Sequence, residues 1–309
     1  MASRPLLIGT RGSPLALWQA RHARARLIET RGLAEADIDL SVITTSGDRL
    51  KDKPLRDFGG KGLFTKEIDE ALLRGDVDMA VHSMKDLETD LPASLAIAAI
   101  LPRADVRDAF ISSKAPTLAE LPPGSVVGTS SLRRGAQVKR LRPDLRVVDF
   151  RGNVETRLRK LAEGQADATL LALAGLERLG LASHATSILS TETMLPAVAQ
   201  GAIGVTCRSD DAETLALLAA LNDRVSATAI ACERAFLERL DGSCKTPIAG
   251  LAEIERGTLR FRGMILTPDG RESYAIGLEG AAESAVRIGA DAGEELLTRA
   301  GPEFLASLA

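Results

Sequence analysis

VVGTSSLRRGAQVKRLRPDLRVVDFRGNVETRLRKLAEG, residues 126–164, decides the fold. Val126–Gly128 and Arg146–Val148 read as short strands. Each runs into a Ser- or Asn-bearing turn and then into helical spacing, Leu132–Leu141 and Val154–Glu163. Ala109–Ser112 and Thr169–Ala172 supply further strands, and Ala174–Leu179 a further helix. Strand and helix in alternation predict an α/β unit with a mainly parallel sheet and helices on both faces.

The same stretch concentrates charge. From Gly128 to Lys160, ten basic residues (Arg133, Arg134, Lys139, Arg140, Arg142, Arg146, Arg151, Arg157, Arg159, Lys160) face three acids, Asp144, Asp149 and Glu155. The local charge is +7 in a chain of 309 residues whose formal charge is −3. Of its 39 basic residues nine are Lys and 30 are Arg, and Arg presents a planar fork matched to carboxylate and phosphate. Thr129-Ser130-Ser131 and Arg151-Gly152-Asn153 stand at strand-to-helix junctions, where free N–H groups and the positive helix end favour an anion. Arg133 and Arg134 fall in a first helical turn, where a cation needs a negative partner. Such junctions at the C-terminal ends of parallel strands are where open α/β sheets bind ligands. Two readings stand: a cleft for a polyanion, or a solvated helix face, which suits Arg140, Arg142 and Arg159.

Towards the N-terminus the rhythm repeats. Leu6–Gly9 reads as a strand, followed by the turn Thr10-Arg11-Gly12-Ser13 and a helix to about Thr30. Ser13 is its N-cap, Pro14 its first residue, and Trp18 belongs to its core face. Ile38–Thr44 is a strand, Asp48–Gly62 a polar Gly-rich loop, Thr65–Arg74 a helix and Val77–Val81 a strand. His82-Ser83-Met84-Lys85-Asp86 follows, and its Lys and carboxylate suit either substrate polarisation or a surface ion pair. Towards the C-terminus, Gln200–Cys207 reads as a strand that returns to the first sheet. Beyond Val225 come a helix (Ala227–Leu240), the loop GSCKTP, three strands (Ile248–Ile254, Leu259–Leu266, Ser273–Leu278) and a helix (Ala281–Arg299). That order predicts a small α+β domain with an antiparallel sheet. The domains are expected at 1–102 with 200–222, at 103–199 and at 223–309.

Composition excludes several classes. Aromatics are 3%, with one Trp and one Tyr, too few for base stacking, so no nucleic-acid partner is expected. Three scattered His and three Cys without a CxxC pair support neither a metal site nor a disulfide framework. No apolar run is long enough for a membrane span, and MASRPLLIGTRGS lacks a signal-peptide core. A cytoplasmic location is the expectation. Cys244, beside Lys245 in a turn, is the candidate reactive thiol, since an adjacent cation favours thiolate. Cys207 and Cys232 sit in apolar contexts and read as core.

IGTRGSPLALWQA (8–20), GGKGLFTKEID (59–69), DMAVHSMKDL (78–87), GTSSLRR (128–134), FRGNVETRL (150–158), LAGLERLGL (173–181), QGAIGV (200–205) and GSCKTPIAG (242–250) together resemble the porphobilinogen deaminase (hydroxymethylbilane synthase) family. The resemblance spans nearly the whole chain and is weakest over the last sixty residues. It implies two periplasmic-binding-protein-like doubly wound domains, with the active site between them, plus a small α+β C-terminal domain carrying the Cys loop. It implies a dipyrromethane cofactor bound by a thioether to Cys244, and a transferase that joins four porphobilinogen molecules with loss of ammonia. The product, hydroxymethylbilane, would pass to uroporphyrinogen-III synthase, and the enzyme would be a monomer. Carried over by motif, Asp86 is the catalytic carboxylate. Lys85, Asp86, Thr129, Ser131, Arg133, Arg134 and Gly152 would hold the cofactor. Arg11, Ser13, Phe64, Arg151, Arg157, Arg178 and Gln200 would hold substrate, and Asp48–Gly62 would be an active-site lid. Bidentate Arg contacts suit the acetate and propionate of each pyrrole. A non-catalytic carboxylate- or phosphate-binding protein of the same two-domain type is the alternative. Two departures stand out: Thr206 replaces the family's usual acid, and the Cys loop reads Cys-Lys-Thr-Pro.

Overall fold

The computed structural model describes residues 4–49, 64–240 and 246–307. Its first part runs β1 (Leu6–Thr10), α1 (Pro14–Arg31), β2 (Ile38–Val42), α2 (Ser46–Arg49), α3 (Lys66–Arg74), β3 (Met79–Ser83) and β4 (Leu95–Ile100). Next come β5 (Asp108–Ser112), β6 (Val126–Gly128), α4 (Leu132–Leu141), β7 (Arg146–Val148), α5 (Val154–Ala162), β8 (Ala168–Ala172), α6 (Leu173–Arg178) and β9 (Ser187–Ile188). The chain ends with β10 (Ile203–Arg208), α7 (Ala212–Leu218), α8 (Arg224–Arg239), β11 (Ile248–Glu255), β12 (Thr258–Leu266), β13 (Ser273–Ala281) and α9 (Ala285–Ser307). Two compact units result, one from residues up to Ala104 with Gly201–Ala227, the other from Asp105–Gln200 with Thr228 onward.

The first unit is built on a sheet of order β2-β1-β3-β10-β4. Helix α1 starts where Ser13 Oγ accepts from the Ala16 amide and Pro14 needs no partner, and it stops at Gly32 in the left-handed region. Its buried residues Gln19, Ala20, Ala23 and Leu27 recur at three- and four-residue spacing. The three apolar ones pack over Ile8, Met79, Val81, Val205 and Cys207 of the sheet. Each such Leu, Ile or Val contributes about 1.5–3 kcal/mol by leaving water.

The second unit holds a sheet of order β7-β6-β8-β5-β9 and a three-stranded antiparallel sheet, β11-β12-β13. Phe110, Val127, Val138, Leu170 and Met194 form its main core. Gly128 lies so close to Phe150 that a Cβ would stand 2.5 Å from the ring. On the small sheet Phe236 of α8 meets Phe261 of β12 at 4.8 Å between centroids. Gly289 and Gly293 let α9 cross the backbone of α8, where a Cβ would collide with Cys232 or Arg239.

The large sheets are mixed rather than mainly parallel. β1 pairs in parallel with β2 and β3, but β10 is antiparallel to β3 and β4, and β5 is antiparallel to β8 and β9. The strand–helix rhythm reports only sequence neighbours, whereas β10 reaches β3 from more than a hundred residues away. Four further elements escaped the sequence reading: α2, β4, β9 and α7. β13 continues to Ala281 because its pairing with Thr258 of β12 persists there. Helix α9 therefore begins at Ala285, and Gly301 (φ 72°) and Pro302 kink its end.

Two stability predictions follow from this packing. Gly128→Ala is expected to destabilise by about 1–3 kcal/mol in urea unfolding, because the new methyl must displace Phe150. His82, buried on β3 beside β10, has its imidazole pushed down to about 4 by burial and by the Arg11 charge. An unfolded His titrates near 6.5. Below that pH the unfolded chain takes up a proton that the folded chain refuses, so stability falls between about pH 6.5 and 4, by up to roughly 3 kcal/mol. Asp69, pushed up to about 6 mainly by burial, works in the opposite sense. The difference between wild type and His82→Gln therefore isolates the effect: the wild type should lose more stability across that window, and equal losses would refute it.

Candidate functional site

In the first unit the turn after β1 and the turn after β3 line one pocket. Arg11, Ser13, Gln19, Phe64, His82, Ser83 and Asp86 are among its lining residues. Arg11 lies over the Phe64 ring, 4.2 Å from its centroid, and its Nε and Nη2 donate to Asp48 at 3.2 and 2.5 Å. Burial pushes the Asp48 carboxyl up, but hydrogen bonds from Arg11 and Thr45 outweigh it and hold the group below its ordinary value. Ser13 spends its oxygen on the α1 cap, and Gln19 Nε2 donates to Ser83 Oγ at 2.8 Å. Met84 is buried and its amide donates to the Ala202 carbonyl at 3.1 Å, which anchors the single turn Met84–Asp86. Lys85 and Asp86 stand exposed on that turn. Asp86 lines the pocket, and Lys85 does not. His82 Nε2 lies 3.0 Å from Thr206 Oγ1. The residue in the place of the family's acid is thus the hydroxyl partner of a neutral imidazole.

In the second unit the carboxylate of Asp108 organises the Arg cluster. It opens β5 and is wholly buried. Arg133 Nη2 donates to Oδ2 at 2.8 Å, and Arg134 Nη2 and Gln200 Nε2 donate to Oδ1 at 2.8 Å each. Burial pushes this carboxyl up, but the two guanidinium charges and these hydrogen bonds win and hold it far below the usual range. Arg133 Nη1 also donates to the Leu195 carbonyl, and Gln137 grips both backbone groups of Leu195. The side chains of Arg133 and Arg134 are 5% and 6% exposed. Asp108 is the negative partner that their place in the first turn of α4 demanded. It lies 25 residues upstream of Arg133, outside the Arg-rich stretch.

Thr129 and Ser131 form the α4 N-terminus: Thr129 Oγ1 accepts from the Ser131 amide and Ser131 Oγ from the Arg134 amide. Ser130 Oγ accepts from the Phe150 amide at 3.0 Å, tying this junction to the next one. There Gly152 has φ 121° and a Cβ would strike Thr156, while Asn153 caps α5. Arg157 Nε donates to the Gly152 carbonyl at 2.8 Å, and Lys160 Nζ to that of Arg151. Arg178 ends α6 and burial pulls its guanidinium down to about 10. Arg142 binds the carbonyls of Leu118, Ala119 and Leu121, so it is a structural tie rather than a solvated charge.

Cys244, Lys51, Lys53, Lys61 and most of the Asp48–Gly62 loop lie outside the described residues. Burial pushes the Cys207 thiol up to about 11 and the Cys232 thiol up to about 12, in keeping with core roles. Among the described residues, no three His, Cys, Asp or Glu are placed to hold a metal ion. No single helix there is long and apolar enough to cross a membrane. The Arg platform fits a carboxylate ligand: two buried guanidinium groups face one carboxylate, and Arg133 Nε is buried without a hydrogen-bond partner.

Residues 6–216 match the family model described as porphobilinogen deaminase, dipyromethane cofactor binding domain, and residues 227–298 match porphobilinogen deaminase, C-terminal domain. The porphobilinogen deaminase of Paracoccus denitrificans is 56% identical over 300 residues, covering 97% of this chain and 96% of that protein. The chloroplastic porphobilinogen deaminase of Pisum sativum is 56% identical over 306 residues, covering 97% of this chain and 83% of that one. Among solved structures, the methionine-binding protein MetQ aligns with a TM-score of 0.45 at 16% identity, over 72% of this chain and 92% of that chain. With two family models spanning most of its length and relatives sharing more than half of its residues, this chain belongs to the porphobilinogen deaminase family.

Proposed function

We propose that the chain is a hydroxymethylbilane synthase. It joins four porphobilinogen molecules head to tail, releases one ammonia per join, and finally releases linear hydroxymethylbilane as one water adds and the bond to the anchoring pyrrole breaks. The observation that carries this reading is the buried 2:1 ratio of guanidinium to carboxylate at Asp108, Arg133 and Arg134. Such a surplus is costly to bury unless an anion completes it, and a pyrrole bearing acetate and propionate supplies that anion. Arg151, Arg157 and Arg178 extend the same chemistry along the second unit, and bidentate contacts give it direction.

When bound through Cys244, the dipyrromethane supplies the first free pyrrole α-carbon to be extended. The remaining work falls to the chain's own residues. In each join the aminomethyl C–N bond of protonated porphobilinogen breaks and ammonia leaves with the bonding pair. A C–C bond forms to the α-carbon of the preceding pyrrole, which then loses its proton. Asp86, exposed on the pocket rim, holds a pyrrole N–H and stabilises the cation left by ammonia. Arg11 and Phe64 provide a charge and a ring face beside it. A cytoplasmic location, a monomeric state and transfer of the product to uroporphyrinogen-III synthase belong to the same reading.

Intact mass spectrometry of the purified protein should show a dipyrromethane adduct that Cys244→Ala abolishes. An unmodified and fully active wild type would overturn the proposal, and a passive carboxylate binder would show neither adduct nor turnover. Asp86→Asn should retain the adduct yet lose about 10²–10⁴ in turnover, the range for a positioned acid–base group. Turnover within a few-fold of wild type would remove Asp86 from the mechanism.

A further inference from the structure

Glu233, on α8, is buried with no exposed surface, and its carboxylate spans two distant pieces of backbone. Oε2 accepts from the Ala199 amide at 2.6 Å, and Oε1 accepts from the Ala252 amide of β11 at 2.8 Å. Ala199 is one of two non-glycine residues with positive φ among those described, at 61°. A left-handed alanine is strained and persists only where its surroundings hold it. The next residue is Gln200, whose Nε2 donates to the Val106 carbonyl and to Asp108. The path from Glu233 to the Arg platform is therefore short: carboxylate, left-handed turn, Gln200, Asp108, then Arg133 and Arg134. Helix α8 also leads directly into residues 241–245, which include Cys244.

We infer that Glu233 is a positioning residue: by holding Ala199 left-handed it aims Gln200 at Asp108 and so keeps Arg133 and Arg134 set for a ligand carboxylate. A carboxylate suits this position because both of these amides are donors. Glutamine offers one acceptor oxygen, and its NH₂ would face an amide N–H. Glycine at 199 needs no such support, since it adopts positive φ freely. The consequence for turnover rests on the proposed function; the geometric consequence does not.

The test is a double-mutant cycle on the full chain, using Glu233→Gln, Ala199→Gly and their combination. Glu233→Gln should lower kcat/KM for porphobilinogen at least tenfold, mainly through KM, and reduce the fraction of chain carrying the adduct. Ala199→Gly should stay within twofold of wild type, and Glu233→Gln in that background should cost no more than threefold. Glu233→Asp, which keeps the charge but is too short for both amides, should show the same rescue from a smaller loss and serves if the Gln variant does not fold. Independently of turnover, hydrogen–deuterium exchange should quicken in segments 197–202 and 131–135 of the Glu233 variants and recover in the doubles. An equal penalty in both Ala199 backgrounds, or unchanged exchange at 131–135, would overturn the inference.

Discussion

The second unit depends on one buried carboxylate. Asp108, Arg133 and Arg134 are all charged and all withdrawn from water, and withdrawing such ions costs several kcal/mol each before any attraction is counted. The arrangement holds because the carboxylate accepts from three side chains at once, two from one helix and the third from a distant segment. Arg133 and Arg134 come from α4, Gln200 from the segment that leaves the unit, and Asp108 itself from the first position of β5. Strand β5 must therefore present its first residue to the first turn of α4. A neutral residue at 108 would leave two buried cations against the positive end of a helix dipole, two unfavourable effects at one point.

The first unit handles its charges differently, and the contrast bears on chemistry. Arg11 is balanced one to one by Asp48, and both are about a quarter exposed, so the pair is screened and worth little as a stabilising device. His82 is held neutral by burial and by the Arg11 charge, so it adds no charge beneath the pocket. Asp86 faces water on a turn anchored by buried Met84. The pocket thus has a balanced interior and a carboxylate at its rim, which suits stabilising a transient cation. The platform of the second unit has a surplus of fixed positive charge, which suits holding carboxylates that do not react.

Much of this was legible in the sequence, for local reasons. Helices α1, α4 and α5 follow turns that carry Ser13, Ser131 and Asn153, and each of these residues caps its helix, as was expected of Ser13. The strands of the small sheet were readable because alternation survives without any knowledge of partners. β4 (LAIAAI) carries no polar alternation, and β9 is two residues long, so neither gives a periodic signal. Antiparallel β10 could be placed in the first sheet but not oriented, because direction depends on a partner far away in sequence. Asp108 was missed because a single acid at the start of the apolar run DAFIS reads as a strand boundary. Glu233 was missed because an acid on a helix reads as surface unless its two backbone partners are known.

The charge count shows why those omissions matter. A window of +7 suggested a field of free cations. In the folded chain Arg142 is tied to three carbonyls and Asp144, Arg159 pairs with Glu163, and Arg133 and Arg134 share Asp108. The acid that balances the most important pair lies outside the window, so no sum over neighbouring residues could have found it. What the platform offers a ligand is set by the deficit that one acid leaves when it meets two guanidinium groups. That deficit is fixed by tertiary structure, through the placement of Asp108 on β5 and of Gln200 beside it. The proposed preference of this site for polycarboxylates would accordingly be written less in its arginines than in the acid that underbalances them.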